Sequence, residues 1–247
     1  MRPWIRISAI VGTAVTAAAV AFLAIRRPAP PAQREGERGH EDGSHGASAV
    51  VPPPTPSELL GRLVDRGAAV EVPEIRVFGR LEGPGISEPG PRIEETATWP
   101  DRWERRVVLS GDVAWVRLAA GQISRSPHVG TPGIDLSADD AWLRLRAVFC
   151  LRHLSAAARG GAAASHFDLA GKTLGAFSLS DGRGRFRLLV GGVGGGLRGI
   201  DGPAGQVLFT AHLRTGYWMY PASQALVKDG QIVEIVRVVS TELPPGS

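Results

Sequence analysis

The stretch that decides the fold is Gln206–Leu243, QVLFTAHLRTGYWMYPASQALVKDGQIVEIVRVVSTEL. It reads as extended segments over Gln206–Arg214, Ser223–Lys228 and Gln231–Ser240, with Asp229-Gly230 as a two-residue hairpin turn between the last two. Working outward, Ile75–Leu118 repeats the theme. Strands are expected over Glu74–Glu82, Arg92–Thr98, Trp103–Leu109 and Asp112–Leu118, divided by Gly-Pro, Trp-Pro-Asp and Ser-Gly-Asp turns. In the last of them Val113, Trp115 and Arg117 face one way and Ala114, Val116 and Leu118 the other. Apolar residues on both faces predict a strand covered on both sides. No cluster of catalytic residue types lies among these segments, so they predict a curved sheet that holds or presents something.

Two helices accompany the strands. Ser57 is the expected N-cap of a short amphipathic helix through Leu59, Leu60, Leu63 and Val64, with Gly67 as its stop. Ser137, with Asp139 and Asp140 behind it, caps a longer helix that is expected to run to Ala158 before Gly160-Gly161. Trp142, Leu145, Val148 and Phe149 mark its buried stripe, and Arg144, Arg152 and Arg159 fall on or near the wet side. Cys150, the single cysteine of the 247 residues, reads as a small packed hydrophobe.

The N-terminal quarter is not globular in character. Ile7–Ile25 is a run of 19 uncharged residues between Arg6 and Arg26, which as a helix would span ~28 Å, close to the thickness of a bilayer's hydrocarbon. A non-cleaved anchor (residues 1–27) is the reading adopted; a secretory signal is the competing one. Residues 28–56 are rich in Pro, Gly, Ser, Glu and Arg, with Val50 and Val51 the only branched aliphatics, and predict a disordered linker. His40 and His45 in it read as solvated side chains. The folded domain is then residues 57–247, held outside the cytoplasm at the cell envelope.

Charge and motifs remove several function classes. The formal charge is +4 and the pI about 9.9, but six arginines before Ser57 against four acids carry half of that excess. The rest is spread over the body with acids interleaved, leaving no basic stripe for a phosphate backbone, so nucleic acid is not an expected partner. Gly171-Lys172-Thr173 resembles the end of a phosphate-binding loop, yet His166 stands where the first Gly is needed. The run Gly194–Gly199 fits a dinucleotide fingerprint in its letters, but Ile200-Asp201-Gly202-Pro203 cannot continue as the receiving helix. His166 and Asp168 alternate on an expected strand without a third ligand at metal spacing. Ser155, Ser165 and Ser178 lie in no nucleophile elbow. No catalytic residue, metal or cofactor is assigned.

The order of turns carries a resemblance. Gly79-Arg80-Leu81-Glu82-Gly83, Trp99-Pro100-Asp101-Arg102-Trp103 and Gly111-Asp112-Val113-Ala114-Trp115-Val116 follow one another as in the N-terminal half of the LolA-like lipoprotein-carrier superfamily. Gly216-Tyr217-Trp218-Met219-Tyr220-Pro221, followed by the Asp229-Gly230 hairpin, is similar to the closing strands of that family. The resemblance covers residues 58–243. It implies an α+β fold dominated by an incomplete antiparallel β-barrel wrapped around helices, with an apolar cavity that shelters acyl chains. Trp103, Trp115, Trp142, Phe149, Tyr217, Trp218 and Met219 are the candidate lining residues. The function expected is non-catalytic binding of a lipid or an acylated lipoprotein. The alternative is an envelope sensor that docks a protein partner on the same half-barrel.

Overall fold

A computed structural model describes residues 5–8, 52–67, 70–128, 130–169, 172–191, 196–215 and 218–244. One compact unit holds residues 1–10 and 53–247, and a second, 11–52, lies outside the described residues but for Pro52. Ile7 and Ser8, expected to begin the anchor helix, lie instead in a strand, Ile5–Ser8, paired with Ser240–Leu243; the rest of the expected anchor, most of the expected linker, His40 and His45 lie outside the described residues. Among the described residues no helix is long and apolar enough to cross a membrane.

Strand β1 is Ile5–Ser8, followed by helix α1 (Pro56–Asp65) and strands β2 (Glu74–Glu82), β3 (Arg92–Thr98), β4 (Arg102–Val108), β5 (Val113–Ala119) and β6 (Gln122–Arg125). Helices α2 (Ala138–Val148) and α3 (Cys150–Arg159) come next. The chain ends in β7 (Ala164–Leu169), β8 (Lys172–Asp181), β9 (Gly184–Val190), β10 (Leu197–Gly202), β11 (Gly205–Thr215), β12 (Trp218–Lys228) and β13 (Gln231–Leu243). All thirteen strands join one curved, unclosed antiparallel sheet in the order β6-β5-β4-β3-β2-β13-β12-β11-β10-β9-β8-β7, with β1 along the end of β13. The sheet is a meander of two halves, and β13 against β2 is the seam between them.

Period-two alternation explains the first half. In β2 the residues Ile75, Val77 and Leu81 point inward, in β3 Ile93 and Ala97, in β4 Trp103 and Val107, and in β5 Ala114, Val116 and Leu118. The opposite face of β5 is solvated: Val113 is exposed and Trp115 only half-buried. The expectation that β5 is covered on both sides is thus corrected; Arg117 sets the wet side, and its guanidinium lies 5.5 Å from the Trp115 ring.

The helices differ from expectation in three respects. The cap of α1 is Thr55, not Ser57: its side chain accepts from the Glu58 backbone N–H while Glu58 accepts from the Thr55 N–H, a closed capping box. The long helix breaks at Phe149, whose backbone leaves helical values, so α2 and α3 are two short helices. Arg144, expected near the wet side, is fully buried. Ser137 caps α2 as expected, in a box with Asp140. The glycine-rich stretch after Gly191 contains a strand, β10, because Gly199 (φ +156°) brings its backbone within contact of Val207, where a side chain would not fit.

Candidate functional site

The inner side of the sheet is the candidate site, and α2 occupies it. Every residue from Asp140 to Phe149 is buried, a condition met only when a helix is enclosed on all sides. Its apolar neighbours belong to one continuous core that includes Trp103, Trp142, Phe149, Phe177, Leu188 and Tyr220. Phe149 meets Trp99 edge to face at 5.4 Å, and His153 on α3 meets both Trp99 (5.4 Å) and Phe186 (4.8 Å) the same way.

Within this apolar interior lies a set of charges. Glu95 on β3 and Arg105 on β4 are register partners on the inner face, both buried. Arg105 donates from Nε and Nη2 to Glu95 Oε1 (2.8 and 2.5 Å) and from Nη1 to both oxygens of Glu234 on β13 (3.0 and 2.9 Å). The same Nη1 donates to the Gly133 carbonyl at 3.0 Å. Arg144 Nη2 on α2 donates to Glu234 Oε1. Two cations and two anions, all buried, thereby tie β3, β4 and β13 to the enclosed helix. Burial alone raises the Glu234 carboxyl, but Arg105 and Arg144 outweigh it and hold it at about 2. Burial likewise opposes the Arg105 charge, and Glu234 and Glu95 more than restore it. Beside this set, Gln224 Nε2 donates to Tyr220 Oη at 2.8 Å, and burial raises the Tyr220 phenol.

Of the candidate lining residues, the structure brings Trp103, Trp142 and Phe149 into the core beneath the sheet. The Arg183 guanidinium covers the Trp142 ring at 4.3 Å. Trp115 points to the outer face and is no part of an inner lining; it stands in a shallow outer groove of about 390 Å³ with Glu94, Glu104, Arg106 and Arg117. Tyr217 lies outside the described residues, and Trp218 and Met219 are described as β12 backbone only. His166 and Asp168 fall on β7, both exposed. Among the described residues no three His, Cys, Asp or Glu side chains converge as a metal site would require.

Sequence reasoning gave no site role to Glu95, Arg105 or Glu234 and placed Arg144 near the wet side. The signal was present for three of them: each strand charge sits at an apolar step of its alternation, as in Ile93-x-Glu95-x-Ala97, Trp103-x-Arg105-x-Val107 and Glu234-x-Val236-x-Val238. A charge at an inward step must find a partner indoors.

The fold and site define the class of an open, curved antiparallel sheet closed over its own helices, dominated by β structure. No protein-family model matches the sequence, and no curated protein matches it. Among solved structures the chain is similar to a LolA superfamily protein from Nitrosomonas europaea, with a TM-score of 0.40 and 11% identity, over 78% of this chain and 96% of that one.

Proposed function

We propose that this chain is a non-catalytic binding protein of the cell envelope whose inner sheet face takes up a lipid, or the acyl chains of a lipoprotein, in the space now held by α2 and α3. One observation carries the reading: an apolar sheet face curves around a helix that is buried on every side, yet the sheet itself is left unclosed. An acyl chain in that space contributes ~0.8 kcal/mol for each CH₂ taken out of water, set against the loss of the Arg144–Glu234 contact when α2 leaves. The charge set at the centre offers a fixed register for the helix without a covalent tie, so exchange needs no chemistry. Trp103 on β4 is the residue in place to contact a ligand there; Trp142 and Phe149 travel with α2, and Trp142, Phe149, Tyr217, Trp218 and Met219 are further candidates. The order of turns that resembles the lipoprotein-carrier superfamily supports the same class of ligand. The apolar run Ile7–Ile25 supports tethering at a membrane with the domain outside the cytoplasm.

The test is to isolate the full chain from its native membranes and record its mass under non-denaturing conditions. Stoichiometric extra mass that disperses as acyl species is the expected result. Brominated phospholipid then quenches the core tryptophans as it binds. A bare mass that stays bare after incubation with phospholipid vesicles or an acylated peptide overturns the lipid reading.

One observation favours a second reading, a docking module for a protein partner. The inner face is already filled by side chains, and the outer face of β4–β5 carries Val108 and Val113, both exposed and directly opposite each other, next to Trp115. Under that reading, charge substitutions at Val108 and Val113 abolish partner capture and leave lipid binding unchanged.

A further inference from the structure

Two strands, β6 and β7, end the main path of the sheet among the described residues, and each has one side unpaired. The first is four residues long, and Arg125 ties it to the segment behind it through Asp135 (2.6 Å) and the Leu136 carbonyl (3.1 Å). The second, Ala164–Leu169, contains no proline and no lysine, the usual means of blunting an exposed edge.

We propose that β7 pairs edge to edge with β7 of a second copy of this chain, antiparallel about a twofold axis through Phe167. The register follows from geometry. A twofold axis normal to the sheet keeps each side chain on its own face, and residues opposite each other in an antiparallel pair share a face. The axis must then pass through a residue. A centre at His166 sets that imidazole against itself. A centre at Asp168 sets two carboxylates against each other. A centre at Phe167 sets His166 of each copy opposite Asp168 of the other, twice, with the two Phe167 rings adjacent.

The local structure leaves both groups available for that pairing. His166 is exposed, and its neighbour across β8 is Gly175, which brings no side chain of its own to the pair, although Pro53 and Val190 stand over that glycine. Asp168 is exposed and uses Oδ1 to accept from Thr173 Oγ1 at 2.8 Å, leaving Oδ2 for the imidazole. Phe167 on the opposite face lies under the Arg187 guanidinium at 4.2 Å, which fixes its side of the strand.

The experiment is sedimentation of the purified full chain over a range of concentrations, with His166→Asp, Asp168→His and their mixture. The unaltered chain is expected to show a reversible monomer–dimer equilibrium. Either single variant, which sets like groups together twice per dimer, weakens association roughly tenfold or more. Mixing the two variants restores it, because each carboxylate of the first then faces an imidazole of the second; the double variant self-associates for the same reason. A chain that is monomeric at every concentration overturns the proposal. So does dimerisation that the single variants leave unchanged, or a mixture that associates no better than its parts. Both positions are exposed, and an unchanged far-ultraviolet spectrum confirms that the variants are folded.

Discussion

Glu95 and Arg105 stand directly opposite each other on adjacent strands, both wholly buried, with Arg105 Nη2 2.5 Å from Glu95 Oε1. The same guanidinium reaches past β3 and β2 to Glu234, which Arg144 also holds from the enclosed helix. Removing one anion from this set leaves buried positive charge without its counterpart. Glu234→Gln is expected to cost about 3–5 kcal/mol of stability. Urea unfolding measures it. Pairing it with Arg144→Met should cost less than the two singles added together, since both variants break the same contact.

Acid should destabilise the fold in two successive windows. Burial between Trp99 and Phe186 brings the His153 imidazole from its ordinary 6.5 down to about 4, with Asp181 partly offsetting and Arg146 adding to the effect. Between those values the unfolded chain binds a proton that the folded one refuses, so stability falls as pH drops from 6.5 to 4, by about 3 kcal/mol. Glu234, held at about 2 against an ordinary 4.5, contributes stability that is complete above 4.5 and is lost as pH falls toward 2. Urea midpoints at about pH 7, 5 and 3.5 should therefore fall at each step. In His153→Phe the first of those drops should vanish while the lower one persists.

Cys150 reports whether the helices leave the sheet. Burial pushes its thiol up to about 12, and it opens α3 inside the core. Iodoacetamide is expected to leave the native chain unmodified and to label it fully in urea. If an acylated peptide takes the place of α2 and α3, labelling speeds up as the peptide is titrated in. An unchanged rate at saturating peptide would place the ligand elsewhere.

Gly79 lies where β2 meets the irregular register of β13 at Val238 and Ser240. A methyl group on it would stand 2.5 Å from the Arg237 carbonyl oxygen, a backbone atom that has no rotamer to retreat into. Gly79→Ala is expected to cost about 1–3 kcal/mol, read as a shift in the thermal midpoint.

The strands with clean alternation were legible from the sequence. Glu74–Glu82 and Arg92–Thr98 have the predicted ends, because, Glu95 and Gly79 apart, every second residue there is apolar, and the turns on either side are rich in Gly and Pro. Trp115 was misplaced because β5 is apolar at both parities, and only Arg117 shows which side is wet. Arg144 was misplaced for a different reason. A helix enclosed on all sides has no wet stripe, and its charge is answered by Glu234, ninety residues away in sequence. The break at Phe149 carries no Pro or Gly to announce it. The β10 strand hid in a stretch whose glycines serve close backbone approach, which composition alone reads as a loop.

The seam between β2 and β13 has a consequence in time. Glu82 pairs with Ile235 and Arg237, and Arg76 with Glu242, so the middle of the sheet is assembled from the first long strand of the domain and its last. A chain emerging N-terminus first can form each meander alone, but neither has its central neighbour until the final thirteen-residue strand arrives. Glu234 travels on that strand, so Arg105 and Arg144 wait without it until then. The domain is completed by its tail, and a chain released before Gln231 has two half-sheets with nothing to join them.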